Sequence, residues 1–242
     1  MPLYRRVLVK LSGEALCAPG GFGVDTQAVQ GIVKELEPVV HSGVQVALVL
    51  GGGNFFRGKD LHKEGLLDRA TADGMGMLAT VMNGLALQKA LENQGIEARV
   101  LSAIATVGLC EPYIRRRAIH HLEKGRLVIL SGGTGSPFFT TDTGAALRAS
   151  EIQAEVLFKA TKVDGVFDSD PIRNPSAKKF DRLTYGEVLA RQLGVMDLAA
   201  VSLCMESKIP VIVFRMSQPG NLAAAVAGKT VGTIISAEDP PA

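Results

Sequence analysis

Short runs of Val, Ile and Leu alternate along the chain with stretches in which apolar residues recur at helical spacing. Short β-branched runs bounded by glycine predict buried strands of a parallel sheet, and the amphipathic stretches predict helices. The predicted strands are Arg6–Leu11, Val44–Leu50, Glu97–Leu101, Arg126–Leu130, Glu155–Thr161, Pro210–Phe214 and Gly232–Ile235. The predicted helices are Asp25–His41, Asp68–Asn93, Glu111–Glu123, Asp142–Ile152, Thr184–Arg191, Met196–Ser207 and Gly220–Ala227. This alternation predicts a single α/β domain over residues 1–242, a three-layer α/β/α sandwich with a mainly parallel central sheet.

Two segments depart from the alternation. Residues 163–183 contain the turn sequences Asp164-Gly165, Asp170-Pro171 and Asn174-Pro175, which predict an excursion with a small hairpin. Turn chemistry alone is enough to explain the two aspartates in this segment that precede Gly165 and Pro171. The tail, about residues 237–242, follows the last predicted strand and is expected to fray.

Three predicted strands run directly into glycine-containing loops. The loops are Ser12-Gly13-Glu14, Gly51-Gly52-Gly53-Asn54 and Ser131-Gly132-Gly133-Thr134-Gly135-Ser136-Pro137. In an open α/β sheet such loops emerge along one edge, where ligands bind. Glycine lets backbone N–H groups approach an anion closely, and a following helix adds its positive end. Three such loops together predict a site for a ligand that carries several phosphates.

Composition narrows the possible classes of protein. Nearly half of the 242 residues are apolar (47%), which is enough for a sizeable core, and the formal charge is only +2. Acids and bases are interspersed, so we expect neither a nucleic-acid surface nor a membrane partner. Cys17, Cys110 and Cys204 have no Cys-x-x-Cys spacing, which favours a reducing compartment. With no signal peptide or bilayer-spanning run recognised, a cytoplasmic protein is expected.

Three cations follow or end predicted strands and are candidates for contact with phosphate. Lys10 lies in an apolar strand just before the first glycine loop, where a buried ammonium needs an anion; the alternative is an ordinary edge lysine. Arg57 follows the second glycine loop and offers the fork geometry that phosphate prefers, or else forms a surface ion pair with Asp60 or Glu64. Lys162 follows another predicted strand, Glu155–Thr161, and a solvated lysine is an equally good interpretation there.

The segment Thr134–Asp142 combines hydroxyl groups, backbone donors and two aromatic rings ahead of a predicted helix. A helix N-terminus favours an anion nearby. Phe138 and Phe139 either enclose a base or fill the core, and Asp142 is also a candidate N-cap. Asp73 is placed to accept hydrogen bonds from a sugar, or is a solvated helix carboxylate.

Two motifs match nucleotide-binding patterns by their letters alone. Gly53–Asp60 nearly fits the Walker A pattern, but Asp60 replaces the hydroxyl residue that would hold Mg²⁺. Gly74–Ala79 fits a dinucleotide fingerprint but lies within a helical pattern rather than after a strand, so close packing is the better interpretation. The four histidines show no ligand spacing with cysteine or carboxylate, so no protein metal site is predicted.

Five segments together carry a more specific signal: Val9–Glu14, Gly51–Gly58, Asp73–Gly84, Gly133–Asp142 and Lys159–Phe167. They resemble the bacterial uridylate kinase (UMP kinase) family of the amino acid kinase superfamily, and the resemblance extends from about residue 4 to residue 236. The first two segments are shared with other members of the superfamily. The segments beginning at Asp73 and at Thr134 are far more specific to UMP kinases.

The resemblance implies roles for individual residues. It implies an ATP site lined by Lys10, Leu11, Ser12, Gly13, Gly53, Arg57, Thr161, Phe167 and Asp170. It implies a UMP site formed by Gly52, Asp73, Thr134, Gly135, Ser136, Pro137, Phe138, Phe139, Thr140 and Thr141. Ser136 stands where the family usually has asparagine. A segment tied to activation by GTP would comprise Ala18, Pro19, Gly20, Gly21, Phe22 and Gly23.

The implied reaction is ATP + UMP → ADP + UDP, a step of pyrimidine nucleotide biosynthesis, with Mg²⁺ carried by ATP. The acceptor phosphate is largely ionised at neutral pH, so no general base is needed. Lys10, Arg57 and Lys162 are expected to neutralise phosphates, and Asp142 to orient a lysine. The resemblance also implies a homohexamer with GTP as activator and UTP as inhibitor. Two alternatives are a superfamily kinase for a carboxylate or carbamate, and a non-catalytic nucleotide-binding storage or regulatory protein.

Overall fold

The structure, a computed structural model, describes residues 2–56 and 67–237. Its strands are β1 (Arg6–Leu11), β2 (Gln45–Leu50), β3 (Ala98–Ser102), β4 (Glu111–Pro112), β5 (Leu127–Ser131), β6 (Val156–Thr161), β7 (Val166–Phe167), β8 (Lys179–Phe180), β9 (Arg182–Thr184), β10 (Val211–Arg215) and β11 (Thr233–Ser236). The helices of the described residues are α1 (Thr26–His41), α2 (Arg69–Glu92), α3 (Arg115–Glu123), α4 (Thr141–Glu151), α5 (Tyr185–Ala190), α6 (Leu198–Glu206) and α7 (Asn221–Val226). A short 3-10 helix, Gly13–Leu16, follows β1.

Nine of these strands form one sheet in the order β4-β3-β5-β2-β1-β6-β10-β11-β9. Its neighbouring strands are parallel except for β10 and β11, which are antiparallel. Helices α1, α2 and α7 pack on one face, and α3, α4, α5 and α6 pack on the other. The predicted three-layer α/β/α sandwich with a mainly parallel sheet is therefore confirmed.

The central strands are buried on both faces because their side chains alternate between the two helical layers. In β1, Val7, Val9 and Leu11 pack toward the layer that contains α1, while Leu8 packs toward the layer that contains α4. This alternation explains why the strands read as continuous apolar runs, and it places Lys10 on the same face as Leu8.

The hairpin expected within residues 163–183 is confirmed by the antiparallel pair β7 and β8. The expected helix start at Glu111 is wrong. Glu111 and Pro112 instead form β4, which pairs with β3, and α3 begins only at Arg115. Proline has no N–H to donate and disfavours helical geometry in the preceding residue, so it holds Glu111 extended.

The N-termini of α1 and α2 show the capping chemistry that their sequences predict. The Asp25 side chain accepts a hydrogen bond from Ala28 N at the start of α1, and Asp68 accepts from Thr71 N at the start of α2.

No helix of residues 2–56 and 67–237 has the length and apolar character needed to cross a bilayer. The predicted fraying beyond residue 237 lies outside the described residues.

Candidate active site

The glycine loops after β1, β2 and β5 meet at one edge of the sheet, because these three strands are parallel neighbours. A Cβ on Gly13 would lie 2.6 Å from the Gly51 carbonyl oxygen and 2.7 Å from Gly53 N. No side chain fits there, so the first two loops come into direct backbone contact. The structure therefore confirms the sequence-based placement of the loops at a shared edge.

Two lysines and one aspartate form an ion cluster beside these loops. Lys10 of β1 and Lys159 of β6 are register partners on neighbouring parallel strands. Asp142, in the first turn of α4, lies between them: its Oδ1 is 2.9 Å from Lys10 Nζ and its Oδ2 is 2.6 Å from Lys159 Nζ. Lys159 Nζ also donates to the carbonyl oxygen of Val195. The anion that an ammonium in an apolar strand needs is thus supplied by a distant helix.

Burial and charge act in opposite directions on this cluster. Burial alone would raise the pKa of Asp142, but the charges of Lys10 and Lys159 and their hydrogen bonds outweigh it, so the pKa lies below its ordinary value. Burial is also the main influence on Lys159 and lowers its pKa, although Asp142 opposes that shift. Asp142 is therefore a carboxylate at neutral pH and is poorly suited to abstract a proton.

The alternative role of Asp142 as an N-cap is wrong. The Thr140 side chain caps α4 by accepting from Asp142 N at 3.1 Å and Thr143 N at 3.2 Å. Thr140 in turn donates its hydroxyl to Asp197, which also accepts from Thr143 Oγ1 at 2.8 Å. Because Thr140 caps the helix, the Asp142 carboxylate remains available to the two lysines.

A cavity of about 590 Å³ lies between α2 and the loop that joins β5 to α4. Of the residues expected to bind UMP, it is lined by Gly52, Asp73, Thr134, Ser136, Phe139, Thr140 and Thr141. Gly135, Pro137 and Phe138 belong to the same 134–141 loop without lining the cavity. Arg69, Met77 and Thr80 of α2 also line it, although the sequence analysis did not single them out.

The 134–141 loop is held against α2 by its backbone. Phe138 N donates to Asp73 Oδ2 at 2.8 Å, and Phe138 adopts a positive φ of 73°, an unusual conformation for a side-chain-bearing residue. Phe138 and Phe139 are 58% and 54% exposed, so the alternative that they fill the core is wrong. Asp73 is not simply a solvated carboxylate, since it fixes this loop.

A second cavity, of about 500 Å³, lies beside the β7–β8 hairpin. It is lined by Thr161, Phe167 and Asp170 from the expected ATP site, and by Lys159. Asp170 Oδ1 accepts a hydrogen bond from Ile172 N at 2.9 Å, so turn chemistry accounts for part of its role. Thr141, which lines the first cavity, directly precedes Asp142, and Lys159 lines the second cavity, so the ion cluster adjoins residues of both cavities.

Other residues of the expected ATP site lie elsewhere around the sheet edge. Leu11 and Ser12 line a largely apolar cavity of about 610 Å³ next to α1, which Thr161 also borders. Lys162 is 77% exposed and pairs with Glu14 Oε2 at 2.6 Å, so it is not a member of the buried cluster. Arg57 lies outside the described residues, together with the end of the Walker-like motif.

The segment expected to respond to GTP contacts the second glycine loop. Residues 18–22 line a cavity of about 810 Å³ together with Gly53 and Asn54. The Asn54 side chain donates to the Gly23 carbonyl oxygen at 2.7 Å, and Asn54 and Asn83 exchange two hydrogen bonds at 2.8 Å. This segment is thus joined to the glycine loop and to α2 through buried amides.

Residues 5–215 match the profile of the Amino acid kinase family. The chain belongs to the amino acid kinase family. Its fold is similar to that of the UMP kinase from Bacillus anthracis, with a TM-score of 0.94 and 40% identity over 98% of this chain and 97% of the other. It is also similar to the UMP kinase from Ureaplasma parvum, with a TM-score of 0.90 and 36% identity over 96% and 98% of the two chains. The uridylate kinase from Archaeoglobus fulgidus is similar at 31% identity and a TM-score of 0.75, over 95% and 99%.

In this amino acid kinase, Lys159 is the member of the ion cluster that the sequence patterns did not single out. The signal that singled out Lys10 was present there as well, since Lys159 is a lysine within an apolar strand, Val156–Thr161. It was overlooked in favour of Lys162, the residue after the strand. Only the parallel register of β1 and β6 shows that Lys159 is the neighbour of Lys10.

The close packing expected of the dinucleotide-like glycines of this family member is not seen within the chain, since a Cβ added to Gly74 or Gly76 would meet nothing within 4 Å. Gly74 and Gly76 lie inside α2, and a Cβ on Gly52 would come within 2.5 Å of the Gly76 carbonyl oxygen. Farther along the helix, a Cβ on Gly84 would lie 2.7 Å from Ser131 Oγ. The close approach of α2 to the glycine loops thus depends on Gly52 and Gly84.

Proposed function

We propose that this protein is a UMP kinase that transfers the γ-phosphoryl group of ATP to UMP, giving ADP and UDP. Near-full-length similarity to proteins described as UMP kinases, at up to 40% identity, carries this proposal. The geometry supports it, because a buried cluster of two lysines and one aspartate adjoins residues of two cavities that are each large enough for part of a nucleotide. The proposed reaction belongs to cytoplasmic pyrimidine nucleotide synthesis.

The chemistry requires two polyanions to be brought together, and the cluster meets that requirement. In the proposed complex, UMP occupies the cavity bounded by the 134–141 loop, and the adenosine of ATP lies beside Phe167. The backbone N–H groups of the glycine loops bind phosphate oxygens where the two ligands meet. Lys10 and Lys159 offset the charge that accumulates on the transferring group, which is the main form of catalysis for phosphoryl transfer.

In the proposed mechanism Asp142 positions the two lysines and does not remove a proton from the substrate. The acceptor is a phosphate oxygen with a second pKa of about 6, so it is mostly ionised at neutral pH and requires no base. Held between Lys10 and Lys159, the Asp142 carboxylate fixes the separation of the two ammonium groups before ATP arrives. Such preorganisation avoids reorganisation of charge during the reaction.

We propose that Mg²⁺ is carried by the phosphates of ATP. Asp142 is the carboxylate in the buried cluster, and both of its oxygens already lie within ion-pair distance of a lysine. Mg²⁺ keeps several waters and commonly binds through substrate phosphates, so the arrangement fits delivery with ATP. The residues would then hold the nucleotide, and the ion would screen its phosphate charge.

The test of this proposal is product analysis. Incubation of the purified protein with ATP, Mg²⁺ and UMP, followed by ³¹P NMR, should show resonances of ADP and UDP growing at equal rates. Release of inorganic phosphate in place of UDP would identify an ATPase and contradict the proposal. A stable ATP pool with bound UMP would favour the non-catalytic alternative.

We further propose a homohexamer, activated by GTP through the Ala18–Gly23 segment and inhibited by UTP. Leu78 and Met82 of α2 are about half exposed, at 50% and 49%, and provide an apolar face for another copy of the chain. We expect light scattering to give a mass near six times 25.5 kDa. A monomer at all working concentrations would contradict the assembly, whereas a flat GTP titration would remove the activation alone.

A further inference from the structure

Arg148 of α4 is a buried arginine whose contacts the proposed mechanism does not use. It is 5% exposed, in a residue class that is rarely buried without a partner. Its Nη1 donates to Glu151 Oε2 at 2.6 Å, and its Nη2 donates to the Gly133 carbonyl oxygen at 3.1 Å. The guanidinium therefore joins an ion pair to the residue immediately before the 134–141 loop.

The arginine is fixed from a third direction by Tyr113. Its Cζ lies 4.0 Å from the centre of the Tyr113 ring, and the Tyr113 hydroxyl donates to the same Glu151 oxygen at 2.5 Å. Burial and the Glu151 carboxylate raise the pKa of Tyr113, which keeps the phenol protonated and able to donate. A planar guanidinium stacked on a ring and paired with a carboxylate has little freedom to turn, so the direction of its Nη2 donor toward Gly133 is fixed.

The Nη2 donor of Arg148 bonds to the backbone of Gly133, which lies in an unusual conformation at the entry to the 134–141 loop. Gly132 and Gly133 both have positive φ values, 78° and 57°, and Gly133 also packs against α4 at Gly144, where an added Cβ would lie 3.4 Å from its carbonyl carbon. Farther along the loop, Phe138 N is held by Asp73, and Thr140 caps α4. Arg148 thus supports the start of the loop, whereas α2 and the helix cap support its middle and end.

We propose that Arg148 is a positioning residue for the acceptor nucleotide: by holding the Gly133 carbonyl it fixes the entry to the 134–141 loop, and thereby the geometry of the UMP cavity. The proposal rests on the proposed function of that cavity. Arg148 does not line the cavity, so it acts through the loop rather than by contact with UMP. Replacement of Arg148 is expected to weaken the binding of UMP but not that of ATP, because the second cavity is formed by β6, the hairpin and residues 191–195.

Arg6 provides a matched control. It is also buried, at 9% exposed, and donates to a backbone carbonyl, Ile152 O at 2.6 Å, and to Gln45 Oε1 at 2.7 Å. It lies at the start of β1, whereas Lys10 lies near the end of that strand and the glycine loop follows it. Arg6→Met should therefore destabilise the fold without altering the acceptor cavity.

The experiment compares Arg148→Met, Arg148→Lys and Arg6→Met. Loss of a charge-assisted hydrogen bond should raise KM for UMP about tenfold in Arg148→Met, with KM for ATP unchanged. Arg148→Lys should recover only part of this loss, because one ammonium cannot hold Glu151 and Gly133 in the geometry of the fork. Arg6→Met should lower Tm and leave both KM values unaltered.

Amide hydrogen exchange separates this inference from the proposed activity. In the absence of nucleotides, amides of residues 133–139 should exchange faster in Arg148→Met than in the parent protein, and Arg6→Met should not show this local change. If Arg148→Met does not fold, Glu151→Gln, which weakens the same ion pair, should give the same local change at smaller amplitude. Unchanged loop exchange, or an equal rise in KM for UMP and ATP, would overturn the positioning role. Altered exchange in a protein that does not phosphorylate UMP would overturn only the proposed function.

Discussion

Replacement of Lys10 by alanine should lower kcat by on the order of 10²-fold or more, the scale of losing one donor to the transition state. Lys10 Nζ lies 2.9 Å from Asp142 Oδ1 beside the glycine loops, where the proposed mechanism places the negative charge of the transferring group. In the variant, Asp142 still pairs with Lys159, so no unpaired carboxylate charge is left buried. Steady-state kinetics at saturating ATP and UMP, with circular dichroism to verify folding, measure the effect.

Lys124 provides the control for this substitution. It is an exposed lysine at the C-terminal end of α3 and lines none of the four cavities described above, so Lys124→Ala should leave kcat unchanged. A folded Lys10→Ala protein with near-normal turnover would contradict the role assigned to Lys10. A loss of turnover that only mirrors a loss of folded protein would indicate a structural role instead.

The second large effect distinguishes two lysines that are three positions apart. Lys159→Ala should reduce kcat about as strongly as Lys10→Ala, since Lys159 forms the other half of the cluster. Lys162→Ala should have a much smaller effect on kcat, because the Lys162 side chain is 77% exposed and its ammonium group pairs with Glu14. Parallel measurement of kcat and KM for ATP in the two variants gives the comparison.

Equal losses in these two variants would mean that Lys162 leaves Glu14 and joins the cluster when ATP binds. A severe loss in Lys162→Ala together with a mild loss in Lys159→Ala would contradict the arrangement of the cluster. Each result identifies which strand-end cation approaches the transferred phosphoryl group, independently of how the adenosine is held.

Much of the fold could be predicted from sequence because each element carries a local signal. The periodicity of α1 and its cap at Asp25, and the continuous apolar run of β1, are readable without tertiary information. The prediction of a helix start at Glu111 failed because Glu111–Pro112 forms a strand only through pairing with β3. No periodic sequence pattern marks an element of two residues. Local patterns thus define long elements, while short ones depend on neighbours distant in the sequence.

The candidate site shows the same division. The need of Lys10 for an anion was predictable from burial, and the collection of glycine loops at one edge followed from strand direction. The identity of the anion was not predictable, since it depends on how α4 docks over β1 and β6. The place of Lys159 in the cluster could be recognised only from the register between those strands. The role proposed for Arg148 could be recognised only from the path of a loop that passes through positive φ angles.

Acceptor preference tests the central claim most directly. Coupled ADP-release assays with UMP, CMP, aspartate and glutamate, at fixed ATP and Mg²⁺, give kcat/KM for each acceptor. UMP and CMP differ at one edge of the base, and a site with fixed donors and acceptors leaves buried groups unpaired with the wrong base, which can lower kcat/KM by orders of magnitude. Ser136 and Thr134 supply hydroxyl groups at the cavity, although Ser136 is shorter than the asparagine usual in the family, which would soften the discrimination. The account predicts strong preference for UMP and no turnover of the amino acids; comparable kcat/KM for UMP and CMP, or turnover of aspartate or glutamate, would contradict it.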